Sequence, residues 1–297
     1  MEELAGLLAG WRPFIGRGAS RGRGRCVAER VRHGTLNVDE PEGMLRWLTM
    51  SGPGLAHAVA VTDMQAEAQD DEPVLRATLS ICGPWRIGSG EPPPKEAQGD
   101  REHEVIPLLK TAGGFLVPGS GLKGVLRSRA EFILRSTGVI PPPCLDQQCE
   151  DCLTCQVFGY GGGKDTESGS VGARSAIRVA GAVVDQPEPV RRTHIAIDRF
   201  TGGVLDGALY EVEALEAGTF TIQVEQLTVL AEERLTEIRA VLRLVLADLD
   251  NGIIGIGAGV ARGYGSVKVV PDGGLPSVAE AHRVLAGLVR GGAHVPA

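Results

Sequence analysis

Asn251-Gly-Ile-Ile-Gly-Ile-Gly-Ala-Gly-Val-Ala-Arg-Gly-Tyr-Gly-Ser-Val-Lys-Val269 has an echo near the other end of the chain, Gly10-Trp-Arg-Pro-Phe-Ile-Gly-Arg-Gly-Ala-Ser-Arg-Gly-Arg-Gly-Arg-Cys-Val27. Placing Arg21-Gly22-Arg23-Gly24 on Arg262-Gly263-Tyr264-Gly265 sets an offset of 241 residues, which also puts Met44 and Leu45 opposite Leu285 and Ala286. The similarity therefore runs past the glycines into the helical pattern that follows each phrase. Self-similarity at a fixed spacing decides domain organisation before any single element does. It predicts that residues 1–48 are the tail of a preceding domain, 49–73 a linker and 74–297 one complete domain, with two unrelated glycine-rich hairpins as the alternative.

The rest of the chain is compatible with a folded core. It has 297 residues, 43% of them hydrophobic and 23% charged, which is the composition of a globular protein of one or two domains. Arg239, Arg243, Asp248 and Asp250 interrupt the best apolar run, so no membrane span is expected, and the acidic Met-Glu-Glu-Leu start is unlike a secretory leader. Both point to the cytoplasm. A net charge of −7 argues against indiscriminate coating of nucleic acid. Locally the balance inverts, with arginines at 12, 17, 21, 23, 25, 30 and 32 against the single acid Glu29. Guanidinium forks among glycines suit a phosphate-backbone cradle, for which Arg17, Arg21 and Arg23 are the candidates; a solvated hairpin is the bland reading.

From Leu75 the pattern Leu75, Ala77, Leu79, Ile81 predicts a strand with one buried face. Residues 88–104 are too rich in Gly, Pro and charge for a regular element and are expected to form a long loop. Ser120 is placed to N-cap a helix carrying Leu122, Val125, Leu126, Ile133 and Leu134 and ending near Gly138. Short strands are expected at 175–184 and 208–224, a second amphipathic helix from Leu235 to Leu249, and a last strand at Val267 and Val269. Strand, helix, strands, helix, strand is the α+β, ferredoxin-like (RRM-like) βαββαβ plan, two helices on one face of an antiparallel sheet.

Cys144, Cys149, Cys152 and Cys155 bring four thiolates within twelve residues. That suits a structural tetrahedral Zn²⁺ in a reducing compartment, with an iron–sulfur cluster as the rival, because the first three reproduce a plant-ferredoxin spacing. Cys26 and Cys82 read as small core residues. Pro118 to Arg127 joins a helix N-terminus, glycines and the cations Lys123 and Arg127, a phosphate-holding combination that lacks the order of a nucleotide-triphosphate loop. His194 stands in a dense polar stretch as a general base or an exposed RNA contact. Asp100, Glu102 and Glu104, with His103 among them, are candidate Mg²⁺ ligands or solvated loop charge.

Four phrases in order resemble the repeat-associated mysterious protein (RAMP) superfamily, specifically the backbone subunits of type III CRISPR effector complexes. They are Leu116-Val-Pro-Gly-Ser-Gly-Leu-Lys-Gly-Val-Leu-Arg127, the run from Cys152 to Gly159, Thr193-His-Ile-Ala-Ile-Asp-Arg-Phe-Thr-Gly-Gly203 and Gly255-Ile-Gly-Ala-Gly-Val-Ala-Arg-Gly-Tyr-Gly265. The resemblance spans about residues 74–270 and makes the first 48 residues the tail of a like domain. It implies a subunit that stacks along a CRISPR guide RNA, beside other backbone subunits, and presents it to a complementary target RNA in antiviral defence. By position, Gly119, Ser120, Lys123, Arg127, Arg262, Gly263 and Tyr264 would touch guide phosphates, and His194, Arg199 and Phe200 would belong to a thumb hairpin on which a base stacks. An acid before the Pro-Gly-Ser phrase would support Mg²⁺-dependent cleavage of target RNA. Spacing singles out neither Asp100, the first choice, nor Glu104, the second. A metal-independent guide-processing endoribonuclease with a histidine base, and a scaffold that binds without cutting, are the alternatives.

Overall fold

The structure, a computed structural model, describes residues 8, 11, 15, 24, 26, 30–50, 54–55, 62–65, 73–90, 95–98, 101–139, 152–161 and 172–291. The chain divides into two compact units, one of Met1–Ala19 and Arg23–Asp71, the other of Ser20–Gly22 and Glu72–Ala297. In the first, β1 (Arg30–His33) is followed by helix α1 (Pro41–Thr49) and pairs antiparallel with β2 (Thr62–Gln65). The stretch 49–73, expected to be a linker, thus carries a strand. Its alternation is too short to register as a pattern, and pairing with β1 decides it.

In the second unit the alternation at Leu75 to Ile81 holds. β3 (Leu75–Ile81) buries Leu75, Ala77, Leu79 and Ile81 and leaves Arg76 outside. The segment expected to be a loop instead contains β4 (Lys95–Gln98) and β5 (Arg101–Ile106), which pair with each other. Their sequences, Lys-Glu-Ala-Gln and Arg-Glu-His-Glu-Val-Ile, have almost no apolar periodicity to detect; strand conformation there comes with the ladder partner. After β6 (Lys110–Thr111) and β7 (Gly114–Val117) comes helix α2 (Gly119–Ser136). Its N-cap is Pro118, whose carbonyl accepts from Gly121 and Leu122, so Ser120 is an exposed first-turn residue and not the cap expected of it. Gly138, with φ 77°, closes the other end, its N–H reaching Arg135 O at 3.0 Å.

A short helix α3 (Leu153–Phe158), β8 (Ile177–Val179) and β9 (Ala182–Val183) precede two long strands, β10 (Asp185–Ile197) and β11 (Val204–Gln226). Helix α4 (Glu232–Asp250), β12 (Val267–Pro271) and helix α5 (Val278–Gly291) complete the unit. The far half of β11 lies between β3 and β8, and β12 flanks β3, so four strands run in the order β12-β3-β11-β8 with every neighbour antiparallel. The near half of β11 pairs with β10 on one side and, through Tyr210–Val212, in parallel with Glu104–Ile106 of β5 on the other. One hydrophobic cluster joins Leu79, Phe220, Ile222 and Val224 of the sheet to Leu122, Leu126 and Leu134 of α2 and to Ile238, Leu242 and Leu246 of α4. An Arg129–Asp248 ion pair at 2.7 Å links the two helices. Cys82, read above as a core residue, is exposed just beyond β3.

Gly252, with φ 70°, ends α4 and turns the chain into the glycine-rich segment. That segment docks on Pro84 to Arg86: Ala258 N–H donates to Arg86 O at 2.8 Å and Gly265 N–H to Pro84 O at 3.0 Å. A Cβ at Gly257 (φ 110°) would sit 2.3 Å from Arg86 O. Gly257→Ala is therefore expected to cost more than about 1 kcal/mol, lowering Tm by several degrees in a thermal melt. Gly124→Ala, in open space within α2, is expected to raise Tm by removing a helix-interior glycine, a gain of roughly 0.5–1 kcal/mol.

Candidate nucleic-acid interface

The hairpin of β10 and β11 carries His194 directly across from Tyr210. Register pairing puts both side chains on one face, where their rings stack 5.3 Å apart at 15°. Tyr264 of the glycine-rich segment completes the group, its hydroxyl 2.8 Å from His194 Nε2. Arg262, at the end of the 3₁₀ turn Val260–Arg262, donates from Nη1 to the Tyr210 hydroxyl at 2.8 Å. Gly259 and Gly263 flank that turn with φ of 84° and 83°. A side chain at Gly259 would press on the Tyr264 ring, 3.3 Å away, so glycine there is what lets the ring pack.

Near the group lies Arg86, a buried guanidinium without a local sequence signature. Its Nε donates to Glu213 O at 3.2 Å and its Nη2 to Ile106 O and Pro107 O at 3.4 and 3.3 Å. Glu213 turns its carboxylate to Leu108 N–H and Lys110 Nζ. Burial pulls the Arg86 guanidinium below its ordinary range, with Arg262 acting in the same direction and Tyr264, Glu213 and Tyr210 against it. His194 is also held below the ordinary imidazole value, first by burial and then by the cations Arg262, Arg192 and Arg86. The arrangement sets an imidazole, held below its ordinary value, beside the guanidinium groups of Arg262, Arg192 and Arg86.

The hairpin extends beyond this base. Arg192 Nη2 donates to both carboxylate oxygens of Glu216 at its root. At the tip, the Asp198 carboxylate accepts N–H bonds from Phe200 at 2.7 Å and Thr201 at 3.0 Å, an Asx turn that holds Asp198 below the usual carboxylate range, Thr201 contributing more than Phe200. Phe200 stands out from that turn 86% exposed, with the Arg199 guanidinium 5.1 Å from its ring centre. Ile195, Ile197, Val204 and Leu209 are exposed along the distal strands.

The other expected residues are distributed differently. Gly119, Ser120 and Lys123 occupy the first turns of α2. That end adjoins β9, with Val184 N–H bonded to Phe115 O, whereas His194 is nine residues farther along β10, about 30 Å of strand away. The structure therefore provides two polar regions, not one. Arg127 is engaged within the protein, its Nε on Glu131 at 2.8 Å and its Nη1 on Gly159 O at 2.9 Å. Glu104 is the register partner of Tyr210. Asp100, Arg17, Arg21, Arg23, Cys144 and Cys149 lie outside the described residues. Cys152 caps α3 and Cys155 is buried one turn later, so two of the four expected zinc ligands share one side of a helix start. Among the described residues no group of three or more His, Cys, Asp or Glu side chains is placed to hold a metal, and no helix is long and apolar enough to cross a membrane.

Of the residues gathered here, His194, Arg262 and Tyr264 are ones the sequence singled out, whereas Arg86, Tyr210 and Glu213 carry no local signal. Arg86 contacts carbonyls as many as 127 residues away, a relation with no local signature. A family model of the RAMP superfamily matches residues 78–268, more than half of the chain. The chain belongs to the RAMP superfamily. Within the RAMP domain the match runs from β3 into β12, taking in both polar regions, and membership points to a CRISPR-associated RNA-binding protein. No curated protein matches the chain.

Because the folded His194 value lies below the unfolded one of about 6.5, its contribution to stability is present above that pH and is lost as pH falls from there through the folded midpoint. An NMR titration is expected to place the His194 midpoint below that of a free imidazole, and Arg262→Ala is expected to move it upward.

Proposed function

We propose that this RAMP protein is a guide-RNA-binding backbone subunit of a type III CRISPR effector complex, working in the cytoplasm in antiviral defence. Its proposed partners are the guide RNA, a complementary target RNA and neighbouring backbone subunits. In this reading residues 74–297 form the complete domain, on a ferredoxin-like plan to which the order β12-β3-β11-β8 with intervening helices is suited, and β10–β11 is its thumb. The observation that carries the reading is the joining of the glycine-rich segment to the hairpin root through His194, Tyr210, Tyr264 and Arg262, with Phe200 free at the tip. Cations at the root suit phosphates and an exposed aromatic ring at the tip suits a base. The first turns of α2 would hold a further phosphate.

In the same reading an acid near β5, Asp100 or Glu104, supports Mg²⁺-dependent cleavage of target RNA. A specific arrangement favours a second reading, metal-independent cleavage of RNA, since His194, its imidazole held below the ordinary value, is hydrogen-bonded to Tyr264 beside Arg262. One experiment separates them: a guide-complementary RNA is offered to the reconstituted complex with Mg²⁺ or with EDTA. Cutting lost in EDTA and in Asp100→Ala or Glu104→Ala supports the metal-dependent reading. Cutting that persists in EDTA and disappears in His194→Ala supports the second, and tight binding without cutting leaves a scaffold. In the same complexes Arg199→Ala with Arg262→Ala is expected to weaken RNA binding and flatten the log–log salt slope by about 0.7–1 unit for each lost phosphate contact. An unchanged slope removes these arginines from the interface.

Cys144, Cys149, Cys152 and Cys155 are proposed to hold a structural Zn²⁺, which cross-links the start of α3 to the preceding segment; the turn spacing of Cys152 and Cys155 suits two of its ligands. Plasma emission is expected to find one zinc per chain, and Cys152→Ser to release it and lower Tm. Iron with labile sulfide would replace zinc by a cluster.

A further inference from the structure

The two glycine-rich phrases share more than composition. Ile15 N–H donates to Gly24 O at 2.9 Å, and at the same offset of 241 residues Ile256 N–H donates to Gly265 O at 3.0 Å. Gly24 and Gly265 both have positive φ, 75° and 92°. A Cβ on either would strike the carbonyl oxygen of the paired isoleucine, at 2.2 and 2.8 Å. The sequence agrees over the closed loop, Ile15-Gly-x-Gly18 matching Ile256-Gly-x-Gly259 and Arg21-Gly-x-Gly24 matching Arg262-Gly-x-Gly265. The two ten-residue phrases are thus closed by the same isoleucine-to-glycine hydrogen bond, over the same positive-φ glycine.

Each loop leads through a strand to a helix, and there the copies diverge in one respect. In the larger unit α5 packs on α4: Ala281 and Leu285 are buried, and Leu288 is half-buried against the core. The residues 241 positions earlier than Leu285 and Leu288 are Met44 and Trp47 of α1. They are 42% and 57% exposed, and Leu45 and Leu48 beside them are 61% and 73% exposed. Four large apolar side chains on nine helical residues make a face that a globular protein normally covers. The copy that has its partner helix shows what the cover is.

We propose that α1 is the docking face for an amphipathic helix of the α4 type, carried by a second RAMP domain. The segment from Ile15 to Thr49 then supplies that domain with its closing glycine phrase, following strand and last helix, as Ile254 to Gly291 supply the larger unit. A second copy of this chain is the poorer occupant, because its own α5 already covers its α4. The proposal stands on the repeated loop and not on the RNA-binding reading, so either can fail alone.

The test uses the full 297-residue chain and, as probe, a synthetic peptide of residues 230–252, which contains α4. Isothermal titration is expected to show saturable one-to-one binding, accompanied by a blue shift of tryptophan emission. Met44→Glu with Trp47→Glu is expected to weaken it at least tenfold while leaving the circular dichroism spectrum unchanged, since both side chains are exposed. A peptide carrying Leu242→Glu and Leu246→Glu is expected not to bind. Equal affinity for the wild-type and doubly substituted chains, or no binding of the native peptide, overturns the proposal. So does self-association of the chain that the double substitution abolishes, which would give the face to a second copy.

Discussion

A single strand, β11, is the constraint on which the larger unit depends. Its 23 residues are hydrogen-bonded along the near half to β10 and β5 and along the far half to β3 and β8. A strand of that length rises about 75 Å if fully extended, far more than a compact core needs. The surplus becomes the hairpin. Because core and hairpin share one backbone ladder, the register that buries Phe220, Ile222 and Val224 also fixes which face presents Tyr210. A slip of one residue in the core would turn the face that carries His194 and Tyr210 around.

The ladder sets direction, and Arg86 sets distance. Its guanidinium collects three carbonyls from β11 and from the end of β5, and its own carbonyl holds the glycine-rich segment. A buried cation is costly unless its donors find acceptors, and here several of them do. The same charge adds, after burial, Arg262 and Arg192, to what holds the His194 imidazole below its ordinary value. Structural and electrostatic roles therefore coincide in one residue: what anchors the loop carrying Arg262 and Tyr264 also adjusts the imidazole they meet.

The cost of this arrangement is exposure. Distal β10 and β11 leave Ile195, Ile197, Val204, Leu209 and Phe200 uncovered, and α1 leaves Met44, Leu45, Trp47 and Leu48 uncovered in the other unit. A monomer gains nothing from such surfaces, whereas a subunit whose neighbours cover them does. Pro187 and Pro189 leave β10 without two backbone donors near its start, where the ladder to β11 shifts register.

Where burial is local, the sequence determined the outcome by itself. The alternation from Leu75 to Ile81, the apolar stripes of α2 and α4, the glycine stops and the repeated Arg-Gly-x-Gly phrase were legible because each is a periodicity or a steric demand within a few residues. Tertiary structure alone decided the rest. β4 and β5 are polar strands that exist because a ladder partner is present, and β2 is made by β1. Arg86, Tyr210 and Glu213 acquire meaning only when chain segments from 20 to 127 residues away are folded against Arg86 or its neighbours. Hydrogen bonds to distant carbonyls and strand pairing carry no period and no spacing, so no reading along the chain can assemble them.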